Sequence, residues 1–284
     1  WASMKNQGVE VALTTRNIHT KDFTWFTNLN FGFNDNTVLQ ETVAENSTTP
    51  SREGYPVGAI FAYKTAGLDD EGYPLYLTKD GQKLSAKDFF QLNNAGASSL
   101  SAEEQRNLLT YMGSTDPKVS GGFTNTFKYQ RVTLSVNCIF NFGMHVQTTP
   151  SYSLTTYDRG LNTNRDILNR WTPDNPDGTS PRLINSSDRP EEYSFYDNYP
   201  ILNSLDIYVK KHNYFRFQSI RLAYDLPTRW LKPIGVKSAS VSLEGRDLWA
   251  IASNYHNYLD QETMGNPYAS PIPKSFIFGL NVNF

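Results

Sequence analysis

Residues able to do chemistry are few in this chain, and they are dispersed. Four histidines, His19, His145, His212 and His256, stand far apart, and no HExxH, GxSxG, GxGxxG or phosphate-loop spacing accompanies them. A catalytic centre needs a nucleophile with its base and an orienting group, or paired carboxylates in a cleft. The sequence supplies neither pattern, so no catalytic residue is assigned and the protein reads as something other than an enzyme. Two stretches, Asp69-Asp70-Glu71-Gly72 and Asp174-Asn175-Pro176-Asp177-Gly178, cluster the oxygen ligands that calcium prefers, but neither has EF-hand spacing. Asp, Asn, Pro and Gly are also the usual turn residues, so solvated turns are the preferred reading. Calcium in the loops is the one cofactor left open, and no metal ligand is named. The single cysteine, Cys138, cannot close an internal disulfide and reads as a small buried apolar residue.

Binding is a better match than catalysis. Tyr157, Trp171, Tyr255 and Tyr258 fall in long segments between strand patterns. Flat aromatic faces suit the apolar faces of sugar rings, which makes these four the candidate substrate-binding residues. Packing of one loop on another is their competing role.

The elements that must position these residues are strands. Phe276, Phe278, Leu280, Val282 and Phe284 alternate with Ile277, Gly279, Asn281 and Asn283, a period of two that puts one face in an apolar medium. Phe23, Trp25, Leu29, Phe31 and Phe33 repeat the design, with Thr27 interrupting the apolar face and Phe26 the polar one. Val132, Leu134, Val136, Cys138, Phe140 and Phe142 repeat it again. Weaker alternation marks Val9 to Leu13, Phe123 to Tyr129 and Val241 to Leu243. Within 214–226, Phe215 and Phe217 are out of phase with Ile220, Leu222 and Tyr224, which predicts a bulge or phase change near Gln218. About seven strands result.

Their connections are unequal. Short ones near 17–22, 129–131 and 226–236 alternate with long ones near 35–119, 144–212 and 252–273, as in outer-membrane barrels with short periplasmic turns and long outer loops. Ser101 with Glu104 forms a capping box ahead of Leu108, Leu109 and Met112, predicting a short helix inside the first long connection. If the last strand runs towards the periplasm, Phe23, Trp25, Tyr129, Tyr224, Trp230 and Phe284 gather at periplasmic ends and Trp249 near an outer end, the placement of aromatic girdles. Glu10, Glu244 and Arg246 should face the lumen, with partners outside this sequence.

Bulk properties agree. The chain has 284 residues, a net charge of −2 and 14% aromatic residues; its pI near 6.1 and mean hydropathy of −0.52 go with no basic run for nucleic acid. No stretch approaches the roughly 18 apolar residues of a membrane helix, although a membrane strand needs only about 9 to 11. No signal segment opens the chain, so any such segment is expected upstream and the chain reads as a fragment.

Several stretches, in order along the chain, resemble the SusC/RagA family of TonB-dependent outer-membrane transporters. They are Lys5-Asn6-Gln7-Gly8-Val9-Glu10, Gly54-Tyr55-Pro56-Val57-Gly58, Gly113-Ser114-Thr115-Asp116-Pro117, Gly121-Gly122-Phe123-Thr124-Asn125-Thr126-Phe127, Arg170-Trp171-Thr172, Tyr224-Asp225-Leu226-Pro227 and the closing Phe276 to Phe284. The resemblance implies an all-β transmembrane antiparallel barrel of about 22 strands, of which residues 1–284 would be the C-terminal portion, without the plug or earlier strands. It implies import of a glycan fragment or peptide across a bacterial outer membrane. The implied partners are a SusD-like lipoprotein, the TonB complex through the missing part, the barrel-assembly machinery and the bilayer. Phe276, Phe278, Leu280, Val282 and Phe284 resemble the signal read by that machinery. Two alternatives remain at this point: a SusC-like scaffold that has lost transport, and a soluble carbohydrate-binding β-sandwich, which also alternates apolar with polar residues.

Overall fold

A computed structural model describes residues 2–93, 97–148, 165–183, 204–252, 260–263 and 269–284. In chain order its strands are β1 (Ala2–His19), β2 (Phe23–Glu41), β3 (Ala59–Ala62), β4 (Thr65–Leu68), β5 (Pro74–Leu77), β6 (Lys83–Leu84), β7 (Thr110–Ser114), β8 (Val119–Tyr129), β9 (Val132–Gln147), β10 (Val209–Asp225), β11 (Ser238–Ala252) and β12 (Ser275–Asn283). Among the described residues three short α-helices are α1 (Ala86–Phe89), α2 (Ala102–Leu108) and α3 (Thr228–Leu231). No described helix is long and apolar enough to cross a membrane.

Seven strands form one sheet in the order β1-β2-β8-β9-β10-β11-β12, matching the seven read from alternation. Neighbours are antiparallel wherever their register is defined, from β2 with β8 to β11 with β12. The sheet is a meander whose short links are 20–22, 130–131 and 226–237, and whose long ones are 42–118, 148–208 and 253–274. These bounds fall within a few residues of those expected. Several strands are longer than their alternation showed: β2 has 19 residues and β10 has 17, against about 9 to 11 for a membrane crossing.

Register turns the alternation into rows. Leu29 pairs with Phe123 and Phe123 with Cys138; Trp25 pairs with Phe127 and Phe127 with Leu134. On the other side Asn28, Thr124 and Asn137 stand in one row. Gly121 sits between Phe31 and Phe140 in the apolar rows; a Cβ there would lie 2.7 Å from the Phe140 ring, so glycine leaves the space that ring occupies. The phase change expected near Gln218 is a register shift between Phe217 and Ser219. Its extra residue lies on the partner strand, where Asp247 and Leu248 stand opposite Gln218 alone. Asp247 takes a left-handed φ of +52° there, the conformation found in one class of bulge and one that Asp tolerates better than most residues.

The chain divides into two compact units, one of 1–5, 36–115 and 145–210, the other of 6–35, 116–144 and 211–284. The first has an ordinary core: Tyr63, Tyr76, Phe89, Phe90, Leu205 and Tyr208 pack together, with Tyr76 and Leu205 at 0% exposure. The rings of Tyr76 and Phe89 stack at 4.9 Å and Phe90 meets both edge-on. Burial pushes the Tyr63 phenol up to about 12. Helix α2 carries the expected capping box, with Ser101 and Glu104 exchanging bonds, and the Ser101 hydroxyl holds the Glu104 carboxyl below its ordinary range.

The second unit reverses that arrangement. Several of its large apolar side chains are exposed: Phe276 is 72% exposed, Phe278 74% and Phe284 79%. Val9, Val11, Leu13, Phe31, Phe33, Leu222, Leu243, Trp249 and Ile251 are also exposed. So many exposed apolar side chains on one sheet are what a soluble protein avoids and a membrane-facing one requires.

Candidate functional site

The polar face of the sheet is a set of short hydrogen-bonded ladders. Thr14 donates to Asn28 Oδ1 at 2.9 Å, Thr124 to Asn137 Oδ1 at 3.2 Å, and Asn137 Nδ2 to Gln218 Oε1 at 2.9 Å. Phe26, out of place by alternation, lies beneath the Arg16 guanidinium at 5.3 Å, a cation–π contact that accounts for an aromatic ring on a polar face. Glu244 and Arg246, two positions apart on β11, pair with each other at 2.7 Å. The expectation that their partners lie outside this sequence is thereby corrected, because side chains at i and i+2 of a strand share a face.

The strongest electrostatic feature centres on Arg216 of β10, whose side chain is 3% exposed. It meets Asp260 at 2.5 Å, Glu262 at 2.7 Å and Asp247 at the bulge at 4.0 Å. A buried guanidinium needs such partners, since removing either side strands an uncompensated charge. Residues 260–263 are held further by His212, whose Nε2 lies 2.6 Å from the Gln261 carbonyl. Asn141 donates to the Tyr214 hydroxyl at 2.6 Å. Burial pushes the Glu262 carboxyl up, against the opposing pull of Arg216 and with the help of neighbouring Asp260 and Asp247. The cluster can fix the last long connection to the strand wall; it presents no nucleophile with a base.

In the other unit Trp171 is half-buried and Arg182 stacks over both its ring and that of Tyr73, at 5.5 and 5.2 Å. Gly72, at φ +84°, touches the Trp171 ring so closely that a Cβ would come within 2.4 Å. Backbone bonds lock the pair: Arg182 N donates to the Gly72 carbonyl at 2.9 Å, and Asp69 Oδ1 accepts from the amides of Glu71 and Tyr73. The Asp69 carboxylate thus caps its own turn, and Asn175 makes a turn bond to the Thr172 carbonyl at 2.8 Å. Among the described residues no group of three or more His, Cys, Asp or Glu is placed to hold a metal ion.

No family model matches the sequence. Two curated relatives from Formosa agariphila, TonB-dependent receptor P3 and TonB-dependent receptor P26, align over 99% of this chain at 23% and 26% identity. Both of these relatives are TonB-dependent receptors. The chain spans 29% of the length of each. In structure it is similar to the RagAB peptide transporter, at 22% identity and a TM-score of 0.69 over 100% of this chain and 30% of the other. The RagAB peptide importer in its open-open state gives a TM-score of 0.68 over 100% of this chain and 29% of the other. These proteins are named as receptors and transporters, not as enzymes. The likeness is one of fold: an all-β antiparallel sheet like that of the RagAB β-barrel transporters.

Of the four candidate binding residues, Trp171 lies against Gly72 and Arg182 as described, while Tyr157, Tyr255 and Tyr258 lie outside the described residues. Of the closing signal, Phe276, Phe278, Leu280 and Phe284 are exposed and Val282 is partly covered. Cys138 is free and buried. Two groups escaped sequence reasoning. Arg216 gave a signal as a charge inside an aromatic run, but its acids are remote in sequence. Thr27 was visible as an interruption; it donates to Asn125 Oδ1 at 2.6 Å, as Trp25 Nε1 does at 2.9 Å, and accepts from Asn17 at 2.6 Å. The polar atoms on an apolar face satisfy one another, as a medium without water demands.

Proposed function

We propose that the protein to which these residues belong is a TonB-dependent importer of the bacterial outer membrane. It carries a glycan fragment or a peptide inwards, with a SusD-like surface lipoprotein over its outer end. Residues 1–284 serve as the C-terminal portion of its barrel, and the barrel-assembly machinery reads the strand ending at Phe284. The observation that carries this reading is a seven-stranded antiparallel sheet with an exposed apolar face and a hydrogen-bonded polar one, in a chain aligned along nearly its whole length with TonB-dependent receptors. An apolar face outside and a polar face inside is the design of a water-filled membrane barrel. Strands β1 and β12 each have one neighbour in the sheet, and unpaired strand edges in a bilayer cost several kcal/mol per group, so further strands of the full protein are expected to pair with both.

Trp171 and the aromatic residues Tyr157, Tyr255 and Tyr258 are the positions at which we expect the outer connections to meet substrate. A strain lacking the gene is expected to lose growth on the oligosaccharide or peptide mixture that the wild type uses as its sole carbon or nitrogen source. Complementation should restore it only while the TonB system is intact. Undiminished uptake in the deletion strain, with the protein otherwise abundant in the outer membrane, would instead support the scaffold reading.

A further inference from the structure

The link between β10 and β11 is more than a connector. Helix α3 (Thr228–Leu231) and the single 3-10 turn Lys232–Ile234 that follows it divide their side chains by polarity. Leu231 is buried against Val236 and Ala239, with Leu226 and Val282 packed around them. Ala239 pairs with Val282, and the next positions in those rows are Val241 with Leu280 and Leu243 with Phe278. Leu231 therefore sits on the apolar face of the sheet, at its short-turn end, and this is why Val282 is covered where Phe278 and Leu280 are not. Trp230 and Ile234, four residues apart and so on one side of the turn, are left 56% and 69% exposed.

Basic side chains surround these two. Arg229 lies over the Trp230 ring at 5.9 Å, and Arg229, Lys232 and Lys237 are exposed. Arg131 reaches the same link, its guanidinium donating to the Leu226 carbonyl at 3.3 Å. The nearby acid, Asp225, is already in an ion pair with Lys128 at 3.8 Å. An exposed Trp and Ile flanked by Arg and Lys, seated on a membrane-facing surface, have the composition of an interfacial anchor.

We propose that α3 and its following turn lie in the headgroup layer of the adjacent leaflet and bind anionic phospholipid there. Trp230 and Ile234 enter the acyl boundary, and Arg229, Lys232 and Lys237 contact the phosphates. The proposal rests on the barrel reading above, and it adds a lipid contact that fixes the depth of this end of the wall.

The test uses the full-length protein in lipid nanodiscs containing phosphatidylcholine brominated near the headgroup, or phosphatidylglycerol brominated at the same position. Quenching of tryptophan fluorescence is compared between wild type, W230F and the double variant R229Q/K232Q. The wild type is expected to show a quenched component that W230F lacks, and that component should be quenched more by the phosphatidylglycerol. Each basic residue near a surface enriches anionic lipid by about fivefold, so the preference should fall several-fold in R229Q/K232Q while the component itself remains. Equal quenching by the two lipids, a preference unchanged in R229Q/K232Q, or no Trp230 component beside clear quenching of other tryptophans would overturn the proposal and leave the barrel intact. A protein that fails to enter nanodiscs, with no tryptophan quenched by lipid, would overturn the barrel reading and this one with it.

Discussion

The two units use the same residue types in opposite ways. In the unit of 36–115 and its neighbours, Tyr76, Phe89 and Phe90 are packed edge to face and hidden; in the unit built on the long strands, Phe276, Phe278 and Phe284 stand outwards. Burial follows the solvent: apolar surface is withdrawn where the medium is water and presented where it is hydrocarbon. The polar residues make the same point, since Arg216 is sunk among three carboxylates on the strand wall while Asp69 and Ser101 cap turns and a helix in the other unit.

The contrast can be broken at either end. Phe90→Ala removes a fully enclosed ring, and a loss of about 3–5 kcal/mol is expected, read as faster hydrogen exchange across 59–92 in the full-length protein. Arg216→Met leaves Asp247, Asp260 and Glu262 without their cation. A comparable loss of about 3–5 kcal/mol is expected, seen as proteolytic opening near 260–263 with the sheet unaffected. Phe278→Arg sharpens the comparison most, because a cation on a lipid face costs about 2–4 kcal/mol near the bilayer centre, whereas on a water-facing surface it would be nearly neutral. Assembly yield of the heat-modifiable barrel separates the two.

Smaller effects concern protons. Because burial raises the Glu262 carboxyl above its ordinary 4.5, the folded clasp binds that proton more tightly than the unfolded chain. Its contribution is therefore full below 4.5 and is lost as pH rises through the raised folded value. E262Q removes one of the three carboxylates around Arg216; it should cost less than Arg216→Met, because Asp260 and Asp247 remain, and flatten that dependence in exchange measurements on 260–263. Finally, Tyr63 should ionise near 12, visible as a late step in the ultraviolet titration of the phenols, missing in Y63F.

Much of the wall was legible in the sequence because a period of two is unmistakable when a strand is apolar on one face only, as from Phe276 to Phe284. The capping box at Ser101 and the phase change beside Gln218 were legible for the same reason: each is a local rule with a local signature. Strand ends were less so, because β2 continues beyond Phe33 to Glu41, where strict alternation lapses. A bulge or phase change is expected near Gln218 and the register shift lies there, with its extra residue on β11, since a phase change read along one strand does not say which partner carries the insertion. The Arg216 cluster was illegible because its members come from two strands and a loop, and only register brings them together. Trp171 is legible as an aromatic residue of a long outer connection, but its contact with Gly72 and Arg182 depends on the fold of two long connections.

The central claim is that the apolar side of β12 meets lipid and the other side meets water. Single cysteines placed in turn at 276–281, in an otherwise cysteine-free full-length protein, can be probed in isolated outer membranes with a water-soluble maleimide. Positions 277, 279 and 281 are expected to label and positions 276, 278 and 280 to resist until detergent is added. Equal labelling at all six, with no effect of detergent, would contradict the account.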